Sequence, residues 1–180
     1  MAEPMTTRVE VWPLGADATG IWLLSGDDAW RPALPVMADS EPHAEIELEL
    51  ARHDALDDAV LLHSPSWRTD GAAVVLTYVV VVECGAVVRD RWPGARPVGV
   101  RLAQLVGHPS AHSPVEPPAP RYVDVLFHAL RHLRFLLDTD AANAAALDKW
   151  WRRHLATLRP SLSGMYGQTR VPPSKHPELS

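Results

Sequence analysis

The stretch of residues 40–82 reads SEPHAEIELELARHDALDDAVLLHSPSWRTDGAAVVLTYVVVV. Its second half carries the strongest strand signal in the chain. Ala73–Glu83 is AVVLTYVVVVE, and its run of four valines, Val79 to Val82, is apolar on both faces. A β-branched run of that kind belongs in the middle of a sheet, covered above and below. Ahead of it, Ala59–Ser64 (AVLLHS) reads as another strand, followed by a turn that holds Pro65 and Gly71. The first half of the stretch reads two ways. Glu45 to Leu50 alternates strictly and could form an amphipathic strand, but Glu, Leu and Ala favour helix. Asp39 or Ser40 can cap that helix and Pro42 suits its first turn. On a helix over Ala44–Leu56, Ala44, Leu48, Ala51 and Ala55 make a small-residue stripe for packing. Glu41, Glu45, Glu49 and Arg52 then share a neighbouring face.

Nearer the N-terminus, Arg8–Trp12 alternates as a half-buried strand does, with Val9 and Val11 on one side and Arg8 and Glu10 on the other. Asp17–Gly20 supplies a turn, and Gly20–Ser25 (GIWLLS) reads as a second strand able to pair with the first as a hairpin. Residues 29–39, with Pro32 and Pro35, read as a loop, as do Gly85–Pro97 around Trp92. Val100–Val106 reads as a short helix ended by Gly107. Residues 108–121 hold five prolines and exclude a regular element. Tyr122–Asp138 is a helix with Val123, Leu126, Phe127, Leu130, Leu133 and Leu137 as its core face. A second helix over Ala141–Leu158 turns Leu147, Trp151, Leu155 and Leu158 inward, giving a helical hairpin turned at Asp138–Asp140. The expected organisation is an α/β core over 1–107, a Pro-rich linker over 108–121, the hairpin over 122–159 packed on the same domain, and a flexible tail over 160–180.

Composition narrows the function. With 180 residues the chain has room for one domain with a substantial core. Its formal charge of −5, from 17 basic and 22 acidic residues, lacks the basic excess that a broad nucleic-acid footprint needs. The single cysteine, Cys84, allows no disulfide within the chain and suits a reducing compartment. The longest apolar run, Ala72–Val82, falls far short of the ~20 residues of a membrane helix. A soluble cytoplasmic protein is expected, with no membrane partner. Heavy use of Ala, Arg, Pro, Val and Asp over Lys and Ile resembles the usage of a high-GC bacterial genome.

The order strand, strand, loop, Glu-rich helix, strand, turn, valine-rich strand resembles a Nudix hydrolase domain over about Arg8 to Leu137. In that family a loop–helix–loop motif ends in the signature Arg-Glu-hydrophobic-x-Glu-Glu-x-Gly-hydrophobic. Here Glu49 matches the first glutamate, Leu50 the hydrophobic position after it, and Leu56 the closing one. Leu48 stands in place of the arginine, Arg52 and His53 in place of the two metal-binding glutamates, and Ala55 in place of the glycine. The resemblance implies an α/β/α sandwich with a mixed sheet, to which the C-terminal hairpin is added. It also implies Mg²⁺ chemistry on diphosphate linkages, in which the metal neutralises phosphate oxygens and positions the attacking water. Mg²⁺ requires several hard oxygen ligands. Replacing two carboxylates with Arg and His removes ligands and adds positive charge. The implied protein is a catalytically weak or inactive relative that binds a nucleotide or other phosphorylated ligand. An active hydrolase instead requires Glu41, Glu45 and Glu49 to rebuild the metal site, with Glu49 catalytic.

Other residues bear on a ligand. Trp30–Arg31 and Trp67–Arg68 each set an indole beside a guanidinium, a pair able to flank a base or a phosphate. With Arg52 and His53 they make the expected ligand contacts, in a cleft lined by the glutamate helix. Asp124, His128 and His132 lie four apart on one helix, a spacing able to clasp a metal, although Arg131 and Arg134 would oppose a cation. Lys149, Arg152, Arg153 and Arg159 make the last helix basic on one side. A different class of function is a protein-interaction module, a homodimer or partner-binding surface over 122–158, with Phe135 and Trp150 as exposed anchors.

Overall fold

The computed structural model describes residues 6–36, 41–99 and 121–162. The expected linker, tail, short helix over 100–106 and caps Asp39 and Ser40 lie outside them. Five strands form a mixed sheet: β1 (Thr6–Ala16), β2 (Ile21–Leu23), β3 (Ala59–Asp70), β4 (Ala73–Val82) and β5 (Arg96–Pro97). Their order is β3-β4-β1-β2-β5. The valine-rich β4 lies between β3, antiparallel to it, and β1, parallel to it from Thr6↔Ala73 to Leu14↔Val81. β1 and β2 form the expected antiparallel hairpin.

Helices cover both faces. The short α2 (Val88–Arg91) and α1 (Pro42–Arg52) share a core with Val9, Val11, Tyr78, Val80 and Val82. On the other face α3 (Tyr122–Thr139), α4 (Ala141–Ala146) and α5 (Lys149–Leu155) enclose Trp12, Leu14, Val79 and Val81 with Leu126, Leu130, Leu147, Trp151 and Leu155. Alternate β4 side chains feed the two cores, which is why the run needs no polar face. No helix among the described residues is long and apolar enough to cross a membrane.

Several boundaries differ from the sequence expectation, each for a local reason. β1 is not half-buried: both faces are covered, and even Glu10 is only 4 % exposed. It also runs on through Pro13, whose carbonyl accepts from Leu24 N at 2.9 Å, on the side where its missing N–H would lie. β3 continues through Pro65 instead of turning there. It is an edge strand, and register shifts between His63 and Ser66 absorb the proline. The turn is at Gly71, with φ +57°. Trp67 and Arg68 therefore sit in a strand. The 85–97 segment contains α2 and β5 and is not wholly a loop.

α1 is helical as expected, but its buried face is Ile46, Glu49 and Leu50, and Leu48 is exposed. Ile46 and Leu50 offer more apolar area than the alanine stripe, so they take the core. The helix stops at Asp54, which adopts φ +53°, while Ala55 N returns to Leu50 O at 2.9 Å. The expected continuous helix over 141–158 is two helices. Asp148 accepts from Trp150 N (2.8 Å) and Trp151 N (3.0 Å), starting α5 afresh. Arg152 donates to the carbonyls of Leu147 and Ala144, satisfying the end of α4. Phe135 and Trp150 are half-buried, and Phe135 stacks near His132.

Candidate functional site

The end of α1 carries the first cluster. Glu49 is 5 % exposed, yet both its carboxylate oxygens are taken by side chains of its own helix end. Arg52 Nη1 reaches Oε2 at 2.7 Å and His53 Nε2 meets Oε1 at 3.3 Å. The His53 ring stacks on Trp30 at 4.0 Å with 6° between planes, and Trp92 lies tilted 5.9 Å from Trp30. Trp30 arrives there because its backbone makes two hydrogen bonds with Val11, each 2.9 Å, along β1. The structure thus brings together Trp30, Glu49, Arg52 and His53. Glu41 is exposed at the start of the helix and Glu45 half-buried one turn on, and among the described residues neither makes a hydrogen bond or ion pair through its side chain.

Those residues do not fit the Mg²⁺ site that the family resemblance implies. The buried carboxylate has no free oxygen, and among the described residues no group of three or more His, Cys, Asp or Glu is arranged to hold a metal ion. Asp124 instead forms a two-bond pair with Arg121, at 2.9 and 3.0 Å. His132 Nδ1 donates to Ser161 O at 3.1 Å, and its ring stacks on His63 at 4.6 Å. Burial, and then the neighbouring His132, holds His63 below the ordinary imidazole range.

The second cluster lies on the opposite face of the sheet. Arg68 grips Glu10 with both terminal nitrogens, at 2.7 and 2.8 Å, and Arg31 adds bonds at 3.0 and 3.2 Å while also pairing with Asp28. Burial opposes ionisation of Glu10, but Arg68 and then Arg31 outweigh it and hold its pKa below the usual value. Arg31 and Arg68 thus meet each other, on a face away from Trp30. Trp67, one residue along the strand, points to the α1 side and is 68 % exposed. The two Trp-Arg pairs are split by the period-two alternation of a strand.

A cleft of about 570 Å³ opens at the C-terminal ends of the parallel strands β1 and β4. Ala16, Val60, Val81, Val82, Ala145 and Ala146 supply apolar walls, and Glu83, Asp148, Lys149 and Trp150 add polar and aromatic groups. Neither α1 nor the Trp-Arg pairs line it. The adjoining Asp17 braces this end of the fold. Its Oδ1 accepts from Thr19 N, Thr19 Oγ1 and Gly20 N, its Oδ2 from Val88 N, and its carbonyl from His154 Nε2. Burial raises its pKa, but the hydrogen bonds from Thr19 and Val88 prevail and hold it at about 2. Burial pushes the Cys84 thiol up to about 11, which makes it a poor nucleophile.

Sequence reasoning missed Glu10, Asp17 and the cleft. The available signal for Glu10 was an acidic residue inside the strand Arg8–Trp12, flanked by valines at 9 and 11. Comparison with protein-family models, with curated proteins and with solved structures returned no match to the chain.

Proposed function

We propose that the chain is a degenerate Nudix-like protein that binds a nucleotide or related phosphorylated small molecule without hydrolysing it by a metal-dependent route. One observation carries this reading: Arg52 and His53, at the two positions where the family's signature has glutamates, hold both oxygens of the buried Glu49. The positive charge that a metal would bring is supplied by the chain itself. Arg52 spends one terminal nitrogen on Glu49 and its side chain is 59 % exposed, so donors remain for a phosphate. The stacked Trp30–His53 pair beside it suits the flat ring of a base.

The test is thermal stability against a nucleotide panel, with and without Mg²⁺. A ligand at a hundred times its Kd stabilises the fold by about 2.7 kcal/mol. The expected shift does not depend on Mg²⁺ and shrinks in Arg52→Ala and Trp30→Ala. A Mg²⁺-dependent shift that Glu49→Gln abolishes, with product release, would instead establish a hydrolase with Glu41, Glu45 and Glu49 as its metal ligands. No shift with any nucleotide would refute ligand binding and move the assignment to a protein-interaction surface over 122–158.

A further inference from the structure

The cleft at the ends of β1 and β4 has a chemistry of its own. In open α/β sheets, ligands settle in the crevice beyond the carboxyl ends of parallel strands, where the connections diverge. Here β1 turns back into the β2 hairpin, whereas β4 leaves through Glu83–Val87 toward α2 on the opposite face. The volume, about 570 Å³, is within the range of small-molecule sites, about 300–1,000 Å³.

Its polar groups are of both signs and are unspent. Glu83 and Lys149 form no ion pair among the described residues, and Asp148 uses only Oδ1 for its cap, leaving Oδ2 free. The Lys149 ammonium rests 4.6 Å from the centre of the Trp150 ring. Trp151, 3 % exposed, lines the cleft, and its indole N–H donates to no group among the described residues. Unlike the indole N–H groups of Trp12, Trp22 and Trp92, it is not sealed from solvent. A donor that no group of the described residues takes up is open to an acceptor from a ligand or from water.

We infer that this cleft binds a small organic zwitterion with an apolar body, of the amino-acid class. The apolar body packs on Val60, Val81, Ala145 and Ala146. The ligand's carboxylate accepts from Lys149 and the Trp151 N–H, and its ammonium meets Glu83 and Asp148. A ligand carrying one charge alone leaves either the cation or the two carboxylates unanswered, which costs affinity through imperfect complementarity. The site is separate from the Trp30–His53 cluster and does not depend on that assignment.

Calorimetric titration of the full chain with phenylalanine, phenethylamine and 3-phenylpropionate tests it. Phenylalanine is expected to bind at least about tenfold tighter than either single-charge analogue, about 1.4 kcal/mol. Glu83→Gln should weaken phenylalanine and phenethylamine and leave 3-phenylpropionate unchanged; Lys149→Ala should weaken phenylalanine and 3-phenylpropionate and spare phenethylamine. Both residues are exposed, so the variants should fold, with circular dichroism as the check. Equal affinity for all three probes, tighter binding of a single-charge analogue, or no binding of any would overturn the inference. So would phenylalanine binding that survives Ala145→Trp, which sets an indole where the apolar body is to pack.

Discussion

Asp17→Asn probes the brace at the open end of the fold. The carboxylate titrates at about 2 in place of its ordinary 3.8. At about 1.36 kcal/mol per pH unit, that difference is worth roughly 2 kcal/mol of folding stability. The sign follows from the direction. The pKa is depressed in the folded state, so the contribution is complete above the unfolded value and is lost as pH falls toward 2. Asparagine can keep one acceptor for Thr19 and Gly20, but its amide would then face the Val88 N–H, donor against donor. We expect a loss of about 2–3 kcal/mol at pH 7, seen in urea as a midpoint lowered by about 1 M. Repeated at pH 3, the gap between the two proteins should narrow by roughly 1 kcal/mol, because the wild-type carboxylate has by then given up about half its advantage. A gap that stays constant from pH 7 to pH 3, or is near zero at both, would refute the assignment of this stability to the ionised Asp17.

Two further outcomes follow from close contacts. Glu10→Gln removes the charge between Arg31 and Arg68. Because both arginines are partly exposed, we expect a loss of about 2 kcal/mol, below the ~3–5 typical of breaking a fully buried pair; chemical denaturation at pH 7 measures it, and an unchanged midpoint would show that the network contributes nothing. A Cβ on Gly15 would stand 2.6 Å from Cys84 Sγ and 3.1 Å from Leu24 Cδ2, so Gly15→Ala should cost about 1–3 kcal/mol. The cost should fall in a Cys84→Ala background, and an equal cost in both would place the strain elsewhere.

Much of the fold is legible in the sequence because the responsible signals are local or periodic. Val79–Val82 announces a central strand, Glu and Leu resolve 42–52 as helix, and the leucine spacing of 122–138 marks α3. What escaped depends on contacts made far along the chain. Pro65 reads as part of a turn, and the alternation from Arg8 stops at Trp12, until the partners that carry both strands past a proline are known. The break at Asp148 was within reach, since an aspartate two and three residues ahead of Trp150 and Trp151 is a cap signal, but the leucine period on either side conceals it. The candidate site was legible only in part. Glu49, Arg52 and His53 meet because three and four residues make a helical turn, and Trp30 joins them through a bridge to β1 that nothing in residues 29–39 encodes. Arg31 and Arg68 find each other only through Glu10, 21 and 58 residues away.

Between Leu24 and Val36 the chain doubles back along β1, joined to it by four backbone hydrogen bonds at Pro13, Val11 and Thr7. The middle strand of the sheet is therefore closed on that side by sheet for only three residues and by a thin strip for the rest. Peeling the strip away breaks few bonds, yet it uncovers a strand edge ready to pair with any extended chain. Arg31, clasped to Glu10 from the strip itself, is the rivet. A partly exposed arginine in a loop thereby helps to keep that strand edge covered, a duty usually left to the residues of an edge strand.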